Sequence, residues 1–136
     1  MLYEVIAISK RPNEKGLIKE YKEQFLVDDC ETCAEAELKV LQLFNGEANC
    51  ICIKESKIRE VAYEMVDANE QKYYKVIIKQ DFIDDNGKVK ELKYPVLIAA
   101  DSTLYATERA KEYIKQGLDD MYLGDVTETK IIEYIK

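Results

Sequence analysis

The chain of 136 residues contains no histidine and no tryptophan. Without histidine it lacks the commonest general base, the usual hydrolytic triads and the commonest metal ligand. Its five glycines form neither of the loops that cradle phosphate groups, the P-loop and the dinucleotide-binding turn. We therefore predict that the protein is not an enzyme, has no catalytic residues and needs no cofactor.

Long apolar runs are also missing. The longest, such as residues 96–100, fall far short of the roughly 20 residues that a membrane helix needs. No charged segment followed by an apolar one opens the chain, as it would in a signal peptide. The composition, 47% apolar and 35% charged, is typical of a folded globular protein. We expect a cytoplasmic protein that makes no contact with a membrane.

Neither half of the chain has an excess of basic residues. The net charge is −7, and residues 1–66 carry 9 Lys or Arg and 13 Asp or Glu, against 11 and 14 in residues 67–136. Nucleic-acid-binding proteins gain much of their affinity by neutralising phosphates, usually with a basic face. Nucleic acid is therefore a disfavoured partner, although a local basic patch is compatible with a negative total.

The chain carries one pattern twice. The segment "YEVIAIS" at residues 3–9 matches "YKVIIKQ" at residues 74–80, and "EYKEQFLV" at residues 20–27 matches "ELKYPVLI" at residues 91–98. Both matches have an offset of 71 residues. Apolar residues alternate along the second segment of each copy, which indicates a β-strand. Each copy therefore predicts a β-hairpin.

Turn residues separate the two strands of each predicted hairpin. Gly16 and Gly87 match at the same offset, and Asn86-Gly87 is a strong turn signal because both residues tolerate positive φ. Pro95 has no N–H group to donate. We expect its strand to lie at a sheet edge, or that position to face outward.

A helix follows each hairpin, at an offset of 70. Thr32 and Glu35 predict a capping box, and the segment 101–103 supplies the second cap. Gly46 and Gly117 stand near the predicted helix ends, where positive φ is common. The apolar stripes at helical spacing are Ala36, Val40, Leu43 and Phe44 in the first helix, and Ala106, Ala110, Tyr113 and Ile114 in the second.

Each copy closes with a further strand, "IKESKIREVAY" at residues 53–63 and "VTETKIIEYI" at residues 126–135, at an offset of 73. The apolar positions of this strand change parity, so a flat strand cannot bury them all. We predict a bulge or bend at Glu55-Ser56 and at Glu128-Thr129. Two charged positions of this strand carry the same residues in both copies, and we predict a shared structural salt bridge there. These residues are Glu55, Lys57, Glu128 and Lys130.

The pattern therefore predicts an α+β fold built from two β-β-α-β repeats, residues 1–66 and 73–136, joined by a linker at residues 67–72. A single unit of this size buries too little surface to be comfortable alone. We expect one shared globular domain with pseudo-two-fold symmetry and helices packed on antiparallel sheet. One six-stranded sheet and two facing sheets both fit the sequence.

Four cysteines lie in the first copy, with the spacing C-x2-C-x16-C-x-C. Cys30 and Cys33 precede the predicted helix, and Cys50 and Cys52 follow it, so the pairs are about 18 Å apart. The second copy has no cysteine at the matching positions. We predict no metal site and small buried or edge thiols, with a cysteine metal or redox site as the alternative.

Ten tyrosines are many for this length. Tyrosines interleaved with lysines on a sheet can stack the bases of single-stranded nucleic acid. Tyrosine also fits any half-buried pleated surface, and each hairpin carries four acidic against five basic residues, which favours the structural interpretation. The candidate nucleic-acid-binding residues are Tyr21, Lys19, Lys22, Tyr74, Lys90, Lys93 and Tyr94.

Four segments carry a resemblance that covers essentially the whole chain: "YEVIAISKR", "FLVDD…AEAE", "IKESKI" and "YYKVIIK…LIAADS". The chain resembles an uncharacterised family, a domain of unknown function from Bacteroidetes and their phages, including crAss-like phages. That family usually has a tryptophan near its start and no cysteine cluster, and this chain departs from both. The resemblance implies a bacterial or phage origin, and host cytoplasm if the gene is phage-encoded.

A weaker likeness is to the archaeal-type ribosomal protein LX, a small β-β-α-β unit whose final "I-x-I-x-x-I" strand is roughly echoed by Ile51, Ile53 and Ile58. It slightly favours RNA binding, although the chain lacks the basic composition of a ribosomal protein. The leading hypothesis is a non-enzymatic binding module that recognises a protein or a small ligand. Single-stranded nucleic-acid binding is the alternative, and a homo-oligomer is compatible with the sequence.

Overall fold

The structure is a computed structural model, and it describes residues 1–65, 71–116 and 120–136. Most of the earlier elements of the chain form one sheet and its helix, and most of the later ones form a second sheet and its helix. Two strands are exchanged between the sheets, as described below. In chain order the elements are β1 (Tyr3–Pro12), β2 (Ile18–Val27), α1 (Cys33–Leu43), β3 (Ala48–Glu55), β4 (Glu60–Tyr63), β5 (Lys72–Ile83), β6 (Val89–Ala100), α2 (Thr103–Lys115), β7 (Met121–Glu128) and β8 (Ile131–Ile135).

The predicted α+β class is confirmed. There are two four-stranded sheets, with strand orders β3-β1-β2-β8 and β4-β6-β5-β7. In each sheet the hairpin is antiparallel, the strand after the helix pairs antiparallel with the first hairpin strand, and the remaining strand is parallel to the second. Helix α1 packs against the first sheet and α2 against the second. The described strands therefore do not form one six-stranded sheet.

The chain divides into two compact units. Unit 1 contains Met1–Lys57 and Lys130–Lys136, and unit 2 contains Ile58–Thr129. These boundaries differ from the predicted repeats, since each closing strand is cut in two and its second part pairs in the other sheet. Most of the predicted linker lies outside the described residues, and Lys72 already begins β5.

Both interruptions fall where the change of parity predicts them. Strand β3 ends at Glu55 and β4 begins at Glu60, while β7 ends at Glu128 and β8 begins at Ile131. The interruption is larger than a bulge, because the chain leaves one sheet and enters the other. Ending the strand lets the apolar positions on either side be buried on different sheets.

The two hairpins have matching registers. Val5 lies opposite Phe25 in the first sheet, and Val76 lies opposite Val96 in the second, an offset of 71 on both strands. The closing strands agree as well, since their pairings with β1 and β5 correspond at an offset of 73. These are the registers that a repeated unit predicts, and the duplication itself stays a prediction.

Each unit has its own core between sheet and helix. In unit 1 the rings of Phe25 and Phe44 meet edge-on, with centroids 5.7 Å apart. Burial of such side chains is the main source of stability in a small domain. The core residues are Tyr3, Val5, Ala7, Phe25, Val27, Cys30, Ala36 and Val40 in unit 1, and Val76, Ile78, Val96, Ile98 and Ala110 in unit 2, where Tyr74, Ala100 and Ala106 form a further cluster.

The predicted helix caps are present. Thr32 Oγ1 accepts a hydrogen bond from the N–H of Glu35 at 3.2 Å, and Glu35 Oε2 accepts from the N–H of Glu31 at 2.9 Å. In α2, Ser102 Oγ accepts from the N–H of Tyr105 at 3.3 Å. The bonds from Glu35 and Tyr105 satisfy N–H groups that the first helical turn leaves unpaired, and the bond from Glu31 ties the residue before the cap to the helix.

The prediction is wrong for one residue of the apolar helix stripes. Leu43, the last residue of α1, is exposed, because the next residue, Phe44, packs on Phe25 instead. Gly46 has the expected positive φ of 82°, and Gly117 lies outside the described residues.

Pro95 lies on β6, an interior strand, opposite Ile77. Its carbonyl oxygen accepts a hydrogen bond from the N–H of Arg59 at 2.8 Å, just before β4 begins. The N and O atoms of a strand residue point to the same side, so the proline nitrogen faces away from β5 and breaks none of the hairpin's bonds.

Of the helices in the described ranges, none is long and apolar enough to cross a membrane.

Candidate interaction surfaces

Part of each hairpin extends beyond its sheet. Strand β3 pairs with β1 only as far as Ser9, and β8 pairs with β2 only from Gln24 onward. Residues 10–22, called arm 1, are therefore a two-stranded ribbon that pairs with no further strand among the described residues. Residues 81–93, called arm 2, project from unit 2 in the same way.

The two arms end in the same kind of turn. The side-chain oxygen Oδ1 of Asn13, or of Asp84 in arm 2, accepts hydrogen bonds from the backbone N–H groups two and four residues later, at 2.9 to 3.0 Å. Gly16 and Gly87 have φ values of 77° and 78°. Asn86 does not take a positive φ, so the glycine alone supplies the left-handed residue of each turn.

Arm 2 exposes apolar side chains on both of its faces. Ile83 and Val89 lie directly opposite each other and are 72% and 71% exposed. Phe82 and Leu92 lie on the other face and are also exposed. Clustered exposed apolar side chains of this kind are typical of surfaces that bind another molecule.

Arm 1 combines exposed apolar side chains with positive charge. Leu17 and Ile18 are 62% and 68% exposed. The guanidinium of Arg11 lies 4.2 Å from the ring centroid of Tyr21 and 2.7 Å from a carboxylate oxygen of Glu23. Residues 10–22 contain five Lys or Arg and two Glu, so arm 1 is positive although the chain as a whole is negative.

Charged groups meet at the base of arm 2. The hydroxyl of Tyr122 donates to Asp81 Oδ1 at 3.0 Å and lies 3.3 Å from Glu91 Oε2. The hydrogen bond to Asp81, with some burial and the nearby carboxylates, raises the pKa of Tyr122 to about 12. Lys79 Nζ lies 3.7 Å from the other carboxylate oxygen of Glu91. The group is a local polar network on the surface of the sheet.

The structure separates the predicted nucleic-acid-binding tyrosines. Tyr74 is only 4% exposed and packs with Ala100 and Ala106 in the core of unit 2, so its ring offers no face to a base. Tyr94 is half-buried, and burial, followed by the charge of Glu60, raises its pKa. Of the three, only Tyr21 lies on an arm.

The predicted lysines are exposed, on two different faces. In arm 1, Lys19 shares a face with Tyr21, and Lys22 lies on the opposite face, as strand alternation requires. In arm 2, Lys90 Nζ is 3.5 Å from Asp84 Oδ2, and Lys93 lies on the face opposite to it. The structure thus brings Lys19 and Tyr21 together, and the nucleic-acid role of the set stays a prediction.

The cysteines do not converge. Cys30 is buried, its Sγ lies 3.4 Å from the carbonyl oxygen of Asp28, and burial raises the pKa of its thiol. Cys33 is exposed at the start of α1. Cys50 and Cys52 lie on either side of a bulge in β3. Within the described ranges, no three His, Cys, Asp or Glu side chains are grouped so as to hold a metal ion.

The charged residues of the closing strands lie at the two interruptions. Glu128 forms an ion pair with Lys72, with 2.9 Å between carboxylate and ammonium, and the hydrogen bond to Glu128 raises the pKa of Lys72. Glu55, Lys57 and Lys130 are exposed. A shared salt bridge in both copies stays a prediction.

Sequence reasoning did not single out the exposed apolar pairs of the arms. A signal was present, since Ile18 and Val89 match at the hairpin offset of 71. Alternation predicts two faces for each strand, but it does not show how far along the hairpin those faces are covered.

No curated protein matches the chain. A family model, Domain of unknown function (DUF4494), matches residues 2–136. This bears out the resemblance to a domain of unknown function that spans nearly the whole chain. The chain belongs to the DUF4494 family.

Proposed function

We propose that the chain is a non-enzymatic, cytoplasmic interaction module of bacterial or phage origin that contacts a partner protein through arm 2. The observation that carries the proposal is the exposure of Phe82, Ile83, Val89 and Leu92 on a ribbon that pairs with no further strand in the described part of the chain.

The fold does not need these side chains to be apolar. The core of unit 2 lies at the other end of the same hairpin, where Val76 and Val96 are fully buried. Apolar side chains that remain in water add little to stability, whereas aromatic and aliphatic anchors within a polar rim are typical of protein interfaces. Arm 2 supplies such a rim, with Lys90 and Glu91 beside the apolar residues.

The proposal is tested by capturing partners from cells that carry the gene naturally, with the tagged full-length chain as bait. The double variant Ile83→Ser/Val89→Ser removes the exposed pair, and Leu104→Ser removes an exposed leucine from α2 as the matched control. We expect the double variant to retain at most about a tenth of the captured partner, since losing two interface anchors costs more than about 1.4 kcal/mol.

The control variant should capture as much partner as the natural chain, and circular dichroism should show that both variants are folded. Equal capture by the double variant would rule out arm 2 as the contact surface. Turnover of a substrate that depends on a particular carboxylate or cysteine would contradict the non-enzymatic proposal.

Single-stranded nucleic-acid binding is the second candidate, and it is favoured by arm 1. There Arg11 stacks on Tyr21, Lys19 shares their face, and cations outnumber carboxylates. Arginine and aromatic side chains on a positive ribbon can stack bases and neutralise phosphates. Fluorescence anisotropy with a labelled oligothymidylate at low salt decides it: salt-sensitive binding that Tyr21→Ala weakens supports this function, and no binding at tens of micromolar rejects it.

A further inference from the structure

Helix α1 has an apolar groove on its outer surface. Leu38 is 56% exposed, Leu41 is half-buried, and together with Gln42, Asn45 and Gly46 they line an open groove of about 420 Å³. The buried face of the same helix, with Ala36 and Val40, already packs on the sheet, so the groove is a second apolar surface.

The second unit shows that the fold does not require leucine at these positions. At the helix offset of 70, Leu38 corresponds to Glu108 and Leu41 to Lys111, both exposed on α2. The same comparison applies to the tip of arm 1, where Leu17 corresponds to Lys88 in arm 2. Leu17, Leu38 and Leu41 are therefore particular to unit 1, whereas Ile18 has an exposed apolar counterpart in Val89.

The stretch of chain that carries the groove is acidic. Residues 31–47 contain four glutamates and a single cation, Lys39. That cation is already engaged, since its Nζ donates to the carbonyl oxygens of Asp28 at 2.8 Å and Asp29 at 3.2 Å. An occupant of the groove should therefore be apolar with positive charges beside its apolar residues.

The tip of arm 1 has this chemistry. Leu17 and Ile18, the exposed apolar pair, are flanked in sequence by Lys15 and Lys19, all on a ribbon with an excess of cations. Glu14 and Glu20 lie next to these lysines, but arm 1 as a whole has five cations and two carboxylates, whereas arm 2 has three cations and four carboxylates. Charge therefore favours arm 1 over arm 2 as the occupant.

We propose that the tip of arm 1 binds in the α1 groove of a second copy of the chain, reciprocally, so that two copies form a two-fold symmetric dimer. In this dimer the arm 1 tip of each copy occupies the α1 groove of the other, so the same contact forms twice. Such a two-fold arrangement is closed and does not add further copies. The charges lie at the border of the contact, so the dimer should weaken as salt rises. This surface is separate from arm 2, and the proposal does not rest on the proposed function.

Charge reversal on either side tests the contact, with the full-length chain studied by sedimentation equilibrium. The arm variant is Lys15→Glu/Lys19→Glu, and the helix variant is Glu37→Lys/Glu47→Lys. Each variant alone places like charges together at both contacts, so we expect its dimer dissociation constant to rise at least about tenfold. An equimolar mixture of the two restores opposite charges at both contacts, and we expect it to dimerise again.

Leu38→Ser should weaken the dimer by a similar factor, while Leu104→Ser on α2 should leave it unchanged. A natural chain that stays monomeric at hundreds of micromolar overturns the proposal. So does a mixture that stays monomeric, or a natural chain that forms species larger than a dimer. Partner capture through arm 2 can succeed or fail independently of each of these results.

Discussion

Two carboxylates of like charge face each other where arm 2 leaves its sheet. Asp81 lies directly opposite Glu91, an arrangement that is destabilising on its own. The Tyr122 hydroxyl bonds to Asp81, and Lys79 lies near Glu91, so a proton and a cation offset the repulsion. The hydrogen bond to Asp81 holds the phenol proton, and an ionised Tyr122 would add a third negative charge, so the pKa of Tyr122 is raised to about 12.

This shift predicts a dependence of stability on alkaline pH. The folded chain holds the phenol proton more tightly than the unfolded chain, in which the pKa is about 10. The contribution of Tyr122 to the free energy of unfolding is therefore complete below pH 10 and falls as the pH rises from 10 towards 12. We expect the difference in free energy of unfolding between the natural chain and Tyr122→Phe to shrink over that range.

Urea unfolding at a series of pH values measures this difference. Tyr105→Phe, which changes an exposed tyrosine on α2, is the matched control for the loss of a phenol hydroxyl. A constant difference for Tyr122→Phe would show that its phenol does not titrate as the hydrogen bonds predict.

The hairpins, helices and caps were predictable because their signals are local. Alternation, the glycine of each turn and the cap at Thr32 depend on residues a few positions apart. The exchange of β4 and β8 between the sheets was not predictable from the sequence. Contacts between residues distant in sequence decide which strand edge each of these two strands pairs with. The change of parity near Glu55 marked where the strand is interrupted, but it did not indicate where the chain goes next.

The bulge in β7 depends on a glycine. A Cβ atom on Gly124 would lie 2.8 Å from the carbonyl oxygen of Ile77 and 2.9 Å from Cε of Lys79. The lysine can move, but the carbonyl belongs to the neighbouring strand of the sheet. At the matching position of β3 the chain has Ile51, whose side chain is exposed.

We therefore expect Gly124→Ala to lower the free energy of unfolding by about 1–3 kcal/mol, the usual cost of forcing extra atoms into a packed site. Ile51→Ala, at the matching position, should change it by less than about 0.5 kcal/mol. Thermal and urea unfolding of the two variants provide the measurement. A Gly124→Ala chain as stable as the natural one would mean that β7 can move away from β5 at little cost.

The two units differ in whether they are built from one continuous segment of the chain or from two. Unit 2 is one continuous segment, Ile58–Thr129, whereas unit 1 is built from residues on both sides of it. Folding of unit 2 fixes the ends of a 72-residue segment that unit 1 must otherwise close as a flexible loop. Closing a loop of that length costs about 4 kcal/mol in chain entropy. Unit 1 should therefore depend on unit 2 more than unit 2 depends on unit 1.

Val5 and Val76 provide a matched test, since they occupy equivalent positions in the two sheets and are both fully buried. Either valine-to-alanine change should destabilise its own unit by about 2 kcal/mol. Val76→Ala should also reduce hydrogen-exchange protection in β1 and β2, because a loosened unit 2 no longer holds the ends of unit 1 together. Val5→Ala should reduce protection in unit 1 and leave β5 and β6 protected as in the natural chain. Equal loss of protection in both units for both variants would show that the chain opens only as a whole, and that the continuous segment has no stability of its own.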